Sequence, residues 1–263
     1  MRAVESGAAM KKLLPMFGLK WLVGGAIGLL LLLLPAVGDR APEASAQPAE
    51  GTLLSDLVVS NSAGLGVGFD GKYLYWLDIY GLDILHKITT AGDFEADIPI
   101  VGCTATVISW DASRNVFWGA ATNGQISQIT TGGSCTPWFS AAPACNEPID
   151  GISYDPYDGT IWCSTDASVV VHHFTTPAAP VAPGGTGPGV PAPFPSFRVD
   201  TPPNDMKPEC GFNFNSCIAT GVDPRAIYLA ADGCNTIFRY DKQTGAKLAS
   251  FVIGGARHED MVR

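Results

Sequence analysis

Residues 152–162 read I-S-Y-D-P-Y-D-G-T-I-W, and the pattern of this stretch recurs along the chain. It has small or apolar residues, then an aspartate, a short polar turn, and an apolar run that carries an aromatic residue. Three further copies lie at residues 66–78 (G-V-G-F-D-G-K-Y-L-Y-W-L-D), 107–118 (V-I-S-W-D-A-S-R-N-V-F-W) and 220–230 (T-G-V-D-P-R-A-I-Y-L-A). The chain is therefore built from a tandem repeat.

Each copy is followed by a second turn and by a segment of alternating apolar and polar residues, such as Q-I-S-Q-I-T-T at 125–131. Alternation with a period of two, with turn residues between the segments, is typical of antiparallel strands. A fourth strand can be traced in each unit, for example A-K-L-A-S-F-V-I at 246–253. A unit of about 40–45 residues with four short strands predicts a blade of a β-propeller. We therefore predict an all-β propeller with four recognisable blades and part of a fifth.

The spacing of the repeats locates an insertion. The aspartates of the four copies are separated by 41, 44 and 68 residues: Asp70, Asp111, Asp155 and Asp223. The long interval includes residues 177–203, which hold nine prolines. Such a composition favours an extended polyproline II backbone and does not form a packed sheet. We predict a loop inserted in the third blade, just before an outer strand S-F-R-V-D at 196–200.

The blade pattern resembles that of a known family. The stretches D-P-Y-D-G-T-I-W-C-S-T-D and G-V-D-P-R-A-I-Y-L-A-A-D-G-C-N-T-I-F-R-Y-D-K-Q-T-G-A resemble blades of the NHL/YVTN type in secreted bacterial propellers. Rings of gluconolactonase-type enzymes and streptogramin lyases are similar. The resemblance covers about residues 54–263. It implies a propeller fold, and it carries no family-specific catalytic motif.

The number of repeats leaves two interpretations open. Rings of the related type have about six or seven blades, whereas this chain has four repeats and a fifth that begins at 254–263. Residues 52–60, T-L-L-S-D-L-V-V-S, could supply an outer strand to the last blade and so close a very small ring. Alternatively, the sequence is part of a longer propeller, which is the interpretation we favour.

Composition narrows the class of protein. The 263 residues include 30 Gly and 20 Pro, and 16% of them are charged, which fits a turn-rich all-β chain. The formal net charge is −9, and Lys and Arg do not cluster beyond the N-terminus. Nucleic-acid binding needs a basic surface, so we exclude that class.

The first 46 residues predict an export signal. Lys11, Lys12 and Lys20 precede an uncharged run at 21–38, and Ala44-Ser45-Ala46 forms a small-x-small cleavage site. We predict cleavage after Ala46 and a propeller domain at 47–263, secreted or otherwise extracytoplasmic. The alternative is an uncleaved membrane anchor, since 18 residues just suffice to cross a bilayer.

The cysteines fit an oxidising compartment. Seven are scattered through the exported part, with no C-x-x-C pair and no histidine at zinc-ligand spacing, which favours disulfides over metal ligands. Cys135 with Cys145, and Cys210 with Cys217, are close enough in sequence to close short loops. The connectivity stays open. Because seven is odd, one thiol is free or its partner is missing.

The recurring aspartates and aromatic residues have structural interpretations. An aspartate after the innermost strand of each blade can accept hydrogen bonds from backbone N–H groups two residues on, and its recurrence predicts a structural turn. Large aromatic residues at matching places in the second strands predict packing between blades. They are Trp76, Trp118, Trp162 and Tyr228.

The turns between second and third strands carry the candidate ligand residues. These turns open on the face of a propeller that usually carries ligands. We name their polar residues the mouth set: Asp78, Asn123, Asp166 and Asp232. Their oxygens could bind a ligand or a divalent cation such as calcium, and the resemblance to gluconolactonases implies a divalent ion at such a mouth. The alternative is that Asn-Gly and Asp-Gly are common turn residues.

The catalytic residues are unknown. His172 and His173 are adjacent in a predicted strand and point to opposite faces, so they do not readily share an ion. We expect one to pack and the other to be solvated, and the same holds for His86. The sequence has no G-x-S-x-G, no H-E-x-x-H and no phosphate loop.

These observations predict a non-enzymatic binding or scaffold module for an extracellular protein or glycan. The acidic balance suits a neutral or cationic partner. One alternative is a lactonase- or lyase-like enzyme with a divalent ion at the mouth set. Another is that the sequence is a fragment with no activity of its own.

Overall fold

The computed structural model describes residues 64–78, 83–145, 148–181, 190–191 and 196–253. The predicted export signal (1–46), the predicted closing strand (52–60) and the start of a fifth blade (254–263) lie outside these residues. Within the described part, no helix has the length and apolarity that a membrane span requires.

The described strands form four antiparallel sheets, so the all-β prediction is confirmed. Blade 1 comprises β1 (Gly64–Phe69), β2 (Tyr73–Asp78), β3 (Ile84–Thr89) and β4 (Phe94–Pro99). Blade 2 comprises β5 (Val107–Asp111), β6 (Val116–Ala120), β7 (Gln125–Ile129) and β8 (Cys135–Ser140). Blade 3 comprises β9 (Ile149–Asp155), β10 (Thr160–Thr165), β11 (Val170–Thr175), β12 (Val190–Pro191) and β13 (Phe197–Arg198). Blade 4 comprises β14 (Cys217–Ala219), β15 (Ala226–Ala230), β16 (Thr236–Asp241) and β17 (Lys247–Val252), preceded by helix α1 (Lys207–Cys210).

The blades are arranged as a propeller, with β1, β5, β9 and β14 as neighbouring inner strands. Side chains link them from blade to blade: Ser109 Oγ accepts the Tyr154 N–H at 2.9 Å. Between blades 1 and 2 the backbones themselves touch, because a Cβ atom on Gly66 would lie 2.5 Å from Val107 Cα. A residue without a side chain is therefore required at that contact.

The proline-rich insertion departs in part from the prediction. As predicted, an outer strand follows it, since β13 pairs with β11. However, β12 lies within the insertion and also pairs with β11, opposite Phe174 and Thr175. The short helix α1, which the repeat pattern did not predict, follows β13 before the chain enters blade 4.

The core lies between the blades. Trp118 packs in the cluster between blades 2 and 3, and Trp162 packs in the cluster between blades 3 and 4. Tyr75 and Phe117 meet edge-on between blades 1 and 2, with ring centroids 4.9 Å apart. The three clusters therefore bury apolar faces between blades 1 and 2, between blades 2 and 3, and between blades 3 and 4.

Candidate functional site

The four recurring aspartates lie in the turns after the inner strands, as predicted: Asp111 and Asp155 are the last residues of β5 and β9, Asp70 follows β1 directly, and Asp223 lies four residues after β14. The Oδ1 atom of each accepts a backbone N–H two residues on: Lys72 for Asp70, Ser113 for Asp111, Tyr157 for Asp155 and Arg225 for Asp223. The four donor–acceptor distances lie between 2.8 and 3.1 Å. Recurrence at one place in each blade thus reflects a shared turn.

The aspartates also hold aromatic residues of the second strand. Trp118 Nε1 donates to Asp111 Oδ2 at 3.1 Å, and Tyr75 Oη donates to Asp70 Oδ2 at 3.0 Å. Burial raises the pKa of Tyr75, as does the bond to Asp70. Burial acts to raise the pKa of Asp111 as well, but bonds from Ser113, Arg114 and Trp118 outweigh it and lower the pKa.

These bonds correct the assignment of the aromatic residues. All four predicted residues do lie in second strands, but only Trp118 and Trp162 are fully buried, whereas Trp76 and Tyr228 are half-buried. Tyr75 pairs with Gly68, two residues before Asp70, and Trp118 pairs with Ser109, two residues before Asp111. Tyr75 is therefore the counterpart of Trp118. The cause is the number of residues between the aspartate and the second strand, which is two in blade 1 (71–72) and four in blade 2 (112–115).

A buried ion pair joins blades 3 and 4. Lys242 Nζ donates to Asp155 Oδ2, with the Lys242 side chain 2% exposed and the Asp155 side chain fully buried. The ring centroid of Tyr157 lies 5.7 Å from the same ammonium. Burial raises the pKa of Asp155 above its usual value, although the bond to Lys242 opposes this.

A cavity of about 410 Å³ lies where the inner strands end. Three blades contribute both inner-strand residues and turn residues to its wall, and blade 4 contributes one residue. The lining residues are Val67, Phe69, Asp70, Gly71, Ser109, Trp110, Ala112, Ser153, Tyr154, Pro156 and Thr220. Because residues from all four inner edges meet here, we call it the axial cavity.

Hydroxyl groups link the blades along this cavity. Ser153 Oγ accepts the Thr220 N–H and lies 2.9 Å from Thr220 Oγ1, and Thr220 Oγ1 donates to the Tyr154 carbonyl at 3.0 Å. The Thr220 proton is thus used, so Ser153 donates to Thr220 Oγ1. Ser109 Oγ accepts a hydrogen bond from the Tyr154 N–H. Among the described residues, the Ser109 hydroxyl proton has no acceptor.

The cavity carries one negative charge. Asp70 is the charged residue among the described lining residues, which include no Lys, Arg or His. Its bonds come from neutral donors, namely the N–H groups of Lys72 and Tyr73 and the phenol of Tyr75. The other three turn aspartates are ion-paired, with Arg114, Lys242 and Arg239.

The mouth set lies at the other end of the strands. The turns after the second strands hold it, whereas Gly71, Ala112 and Pro156 place the axial cavity at the turns after the inner strands. Asn123 Oδ1 accepts the Gln125 N–H at 3.0 Å, a turn bond. No group of three or more His, Cys, Asp or Glu side chains in the described part of the chain is placed to hold a metal ion. The ligand and metal roles of the mouth set stay predictions.

The paired histidines differ, as predicted for neighbours on a strand. His173 is buried, stacks on Trp162 with centroids 3.6 Å apart, and has Nε2 2.7 Å from Thr160 Oγ1. His172 is half-buried rather than solvated, and burial lowers its pKa. The two do not face one ligand.

His86 has a comparable environment in blade 1. It stacks on Trp76 with centroids 4.8 Å apart, and its Nδ1 lies 2.7 Å from Asp97 Oδ1. Both contacts lie on the outer half of the blade, on β2, β3 and β4. His86 is therefore remote from the axial cavity in the blade.

The cysteine pairing is a correction. The structure joins Cys103 to Cys135, Cys145 to Cys163 and Cys210 to Cys234, so neither short loop forms. Cys217 lies outside these pairs and is buried in β14. Spatial neighbours decide the first pair, because Val101 forms a parallel bridge with Ser134. Three disulfides are compatible with an extracellular protein.

The sequence did not identify the cavity residues as a site. A signal was present, because serine stands two residues before the aspartate in both I-S-W-D and I-S-Y-D. Ser109 and Ser153 are those serines. Their convergence on one cavity depends on the propeller arrangement and could not be read from one blade.

Comparison with known proteins adds little. No known protein family matches the sequence, and no curated protein matches it. Among solved structures, the chain is similar to one from the "Crystal structure of Nidogen/Laminin Complex", at 12% identity and a TM-score of 0.48. The match covers 76% of this chain and 84% of that chain. A likeness at this level carries no argument about function.

Proposed function

We propose that this protein is an exported, non-enzymatic binding module that holds an extracellular glycan by one sugar residue in the axial cavity. The predicted export signal at 1–46, cleaved after Ala46, places it outside the cytoplasm. The three disulfides agree with that compartment. In this proposal it is a secreted bacterial propeller of the NHL type.

The axial cavity is the observation that carries the proposal. Its volume of about 410 Å³ lies in the usual range for small-ligand sites, about 300–1,000 Å³. Its wall combines the aromatic residues Phe69 and Trp110 with the hydroxyls of Ser109, Ser153 and Thr220. Sugars have apolar ring faces and polar edges, so they fit a wall of both kinds.

The hydroxyls favour binding over catalysis. Ser109 and Ser153 each accept a backbone N–H from the next blade, at 2.9 Å. A serine nucleophile requires a hydrogen-bonded base, whereas these two serines are bonded to backbone donors. Their arrangement supports a rigid recognition surface.

The test uses the full chain, exported and purified, with ligand-observed NMR against neutral, cationic and anionic monosaccharides. Ala112 is exposed on the cavity wall, so Ala112→Trp should fill the entrance without disturbing the core. Ala91→Trp, at an exposed position in the turn between β3 and β4, is the matched control. We expect sugar binding that Ala112→Trp removes and Ala91→Trp retains. Absence of sugar binding, or binding that persists in Ala112→Trp, would refute the proposal.

A further inference from the structure

We infer that the sugar residue in the axial cavity carries a free, protonated amine. This inference rests on the proposed function and names the class of sugar. Three features of the wall carry it: the balance of hydrogen-bond donors and acceptors, the charge of Asp70, which has no ion-pair partner among the described residues, and the aromatic residues that line the same cavity.

The serine and threonine hydroxyls of the cavity wall have spare acceptors and one spare donor. Thr220 Oγ1 donates its hydrogen bond to the Tyr154 carbonyl, and Ser153 Oγ donates its hydrogen bond to Thr220 Oγ1. Ser109 keeps the one hydroxyl proton without an acceptor among the described residues. Each hydroxyl oxygen has two lone pairs, and the hydrogen bonds described above occupy one on each of these three. The wall therefore suits a ligand group that donates several hydrogen bonds, as an ammonium group does with three.

The charge of Asp70 points to the same group. Asp111, Asp155 and Asp223 are neutralised by Arg114, Lys242 and Arg239 respectively. Asp70 instead receives two N–H groups and one phenol, all neutral. Among the described residues it is thus the turn aspartate whose charge has no ion-pair partner and which also lines the cavity.

The lysine of the same turn, Lys72, forms no ion pair with Asp70, although Tyr73 and, to a smaller extent, Asp70 raise its pKa. Lys72 Nζ lies 4.5 Å from the ring centroid of Tyr73, and Lys72 is not among the lining residues. Lys87 Nζ lies over the same ring, at 3.7 Å. In this inference, a cation of the ligand therefore pairs with Asp70 from the side of the cavity.

Aromatic residues flank that position. Phe69 precedes Asp70, and Trp110 occupies the equivalent place in blade 2; both are half-buried and line the cavity. A cation near the face of an aromatic ring is attracted by the negative charge of the π-system. A neutral hydroxyl at the same place would gain neither this attraction nor the stronger bond that a charged donor makes to a carboxylate. An aminated sugar is consequently preferred over a neutral one.

The test compares D-glucosamine with D-glucose at about pH 6, where an amine is protonated, using calorimetric titration of the full exported protein. We expect glucosamine to bind about tenfold more tightly than glucose, because a charge-assisted bond is about twice as strong as a neutral one. Asp70→Asn should remove that tenfold preference while keeping Oδ1 as an acceptor for the turn. Asp223→Asn, which changes the same charge in a turn outside the cavity lining, should leave the preference intact.

The outcomes separate this inference from the proposed function. Equal binding of glucose and glucosamine, lost in Ala112→Trp, would overturn the amine and keep the glycan site. Binding of N-acetyl-lysine amide as tight as glucosamine would overturn the sugar as the source of the amine. If Asp70→Asn unfolds, salt decides instead: high NaCl should weaken glucosamine binding and leave glucose binding unchanged, and an equal response of both would overturn the inference.

Discussion

Replacing Lys242 by methionine should strongly destabilise the protein. Methionine keeps most of the length of the side chain and removes the ammonium that pairs with Asp155. Both members of this pair are buried between blades 3 and 4, at 2% and 0% exposure. The variant therefore leaves a carboxylate with no cation in an environment that excludes water.

The burial of the pair sets the magnitude. Breaking a buried ion pair by removing one partner costs about 3–5 kcal/mol, whereas breaking an exposed pair costs about 1 kcal/mol or less. Domains of this kind have a free energy of unfolding of about 5–15 kcal/mol, so the loss is a large part of the total. With a urea slope near 2 kcal/mol/M, the unfolding midpoint should fall by roughly 2 M.

Urea unfolding at neutral pH, followed by tryptophan fluorescence with the disulfides intact, measures this change. Arg198→Met is the matched control, because the Arg198–Asp200 pair is exposed, with the Arg198 side chain 54% accessible. We expect the control to leave the urea midpoint almost unchanged, because solvent screens this pair.

The double variant Asp155→Asn, Lys242→Met should be more stable than Lys242→Met alone, because it removes the uncompensated charge. The deficit of Lys242→Met should also shrink as the pH is lowered. Burial raises the pKa of Asp155 in the folded state, so the folded state takes up the proton first and gains stability as the pH falls through that value. A loss below about 1 kcal/mol in Lys242→Met at neutral pH would show that the pair is not shielded from water.

Three further predictions concern disulfides, metal and acid. Peptide mapping without reduction should find the three disulfides of the structure, and Cys217 should react with iodoacetamide only after unfolding, because it is buried; rapid alkylation of the folded protein would contradict this. If the mouth set binds a divalent cation, calcium should raise the melting temperature and the four-site alanine variant of the mouth set should abolish the rise; an unchanged melting temperature would favour purely structural turns. Asp111→Asn should lessen the loss of stability in acid. The lowered pKa of Asp111 means that its carboxylate stabilises the fold above the unfolded pKa, and this stabilisation is lost as the pH falls through the folded pKa. An equal loss of stability in acid in the variant and the parent protein would show that Asp111 does not stabilise the fold in this way.

The repeat pattern predicted the fold because each blade repeats the same local chemistry. An alternating strand, a turn aspartate and a second alternating strand depend on neighbouring residues, and they are visible in one copy. The outer strand at 196–200 was predicted by subtraction of the proline-rich loop, and β13 lies there. The short strand β12 was not predicted, because two residues of ladder carry no pattern.

Register was harder to predict than strand position. Side chains alternate between the two faces of a strand, so a shift of one residue exchanges the buried and exposed sets. Trp76 is the larger ring and was assigned to the core, but the short turn after Asp70 makes Tyr75 the counterpart of Trp118. The turn length, which is visible in the sequence, determines the face.

The axial cavity was missed for a different reason, whereas the ligand role of the mouth set stays a prediction. The mouth set was assigned because such turns carry ligands in related rings, which concerns a family and not these residues. The axial cavity instead depends on side chains that bond between blades, such as Ser109 to Tyr154 and Ser153 to Thr220. Contacts between units 44 or more residues apart leave no local pattern to recognise.

The function of a repeat protein is best sought where one copy departs from the others. The four turn aspartates perform one structural task, and that task alone gives no reason for one of them to lack a cation. Three are ion-paired, whereas Asp70 is held by neutral donors and lines the axial cavity. An unpaired carboxylate is less stabilising than a paired one, so a turn that served the fold alone would gain from a nearby arginine, as in blade 2. The exception in blade 1 is therefore better explained by a ligand that supplies the cation than by the requirements of the turn.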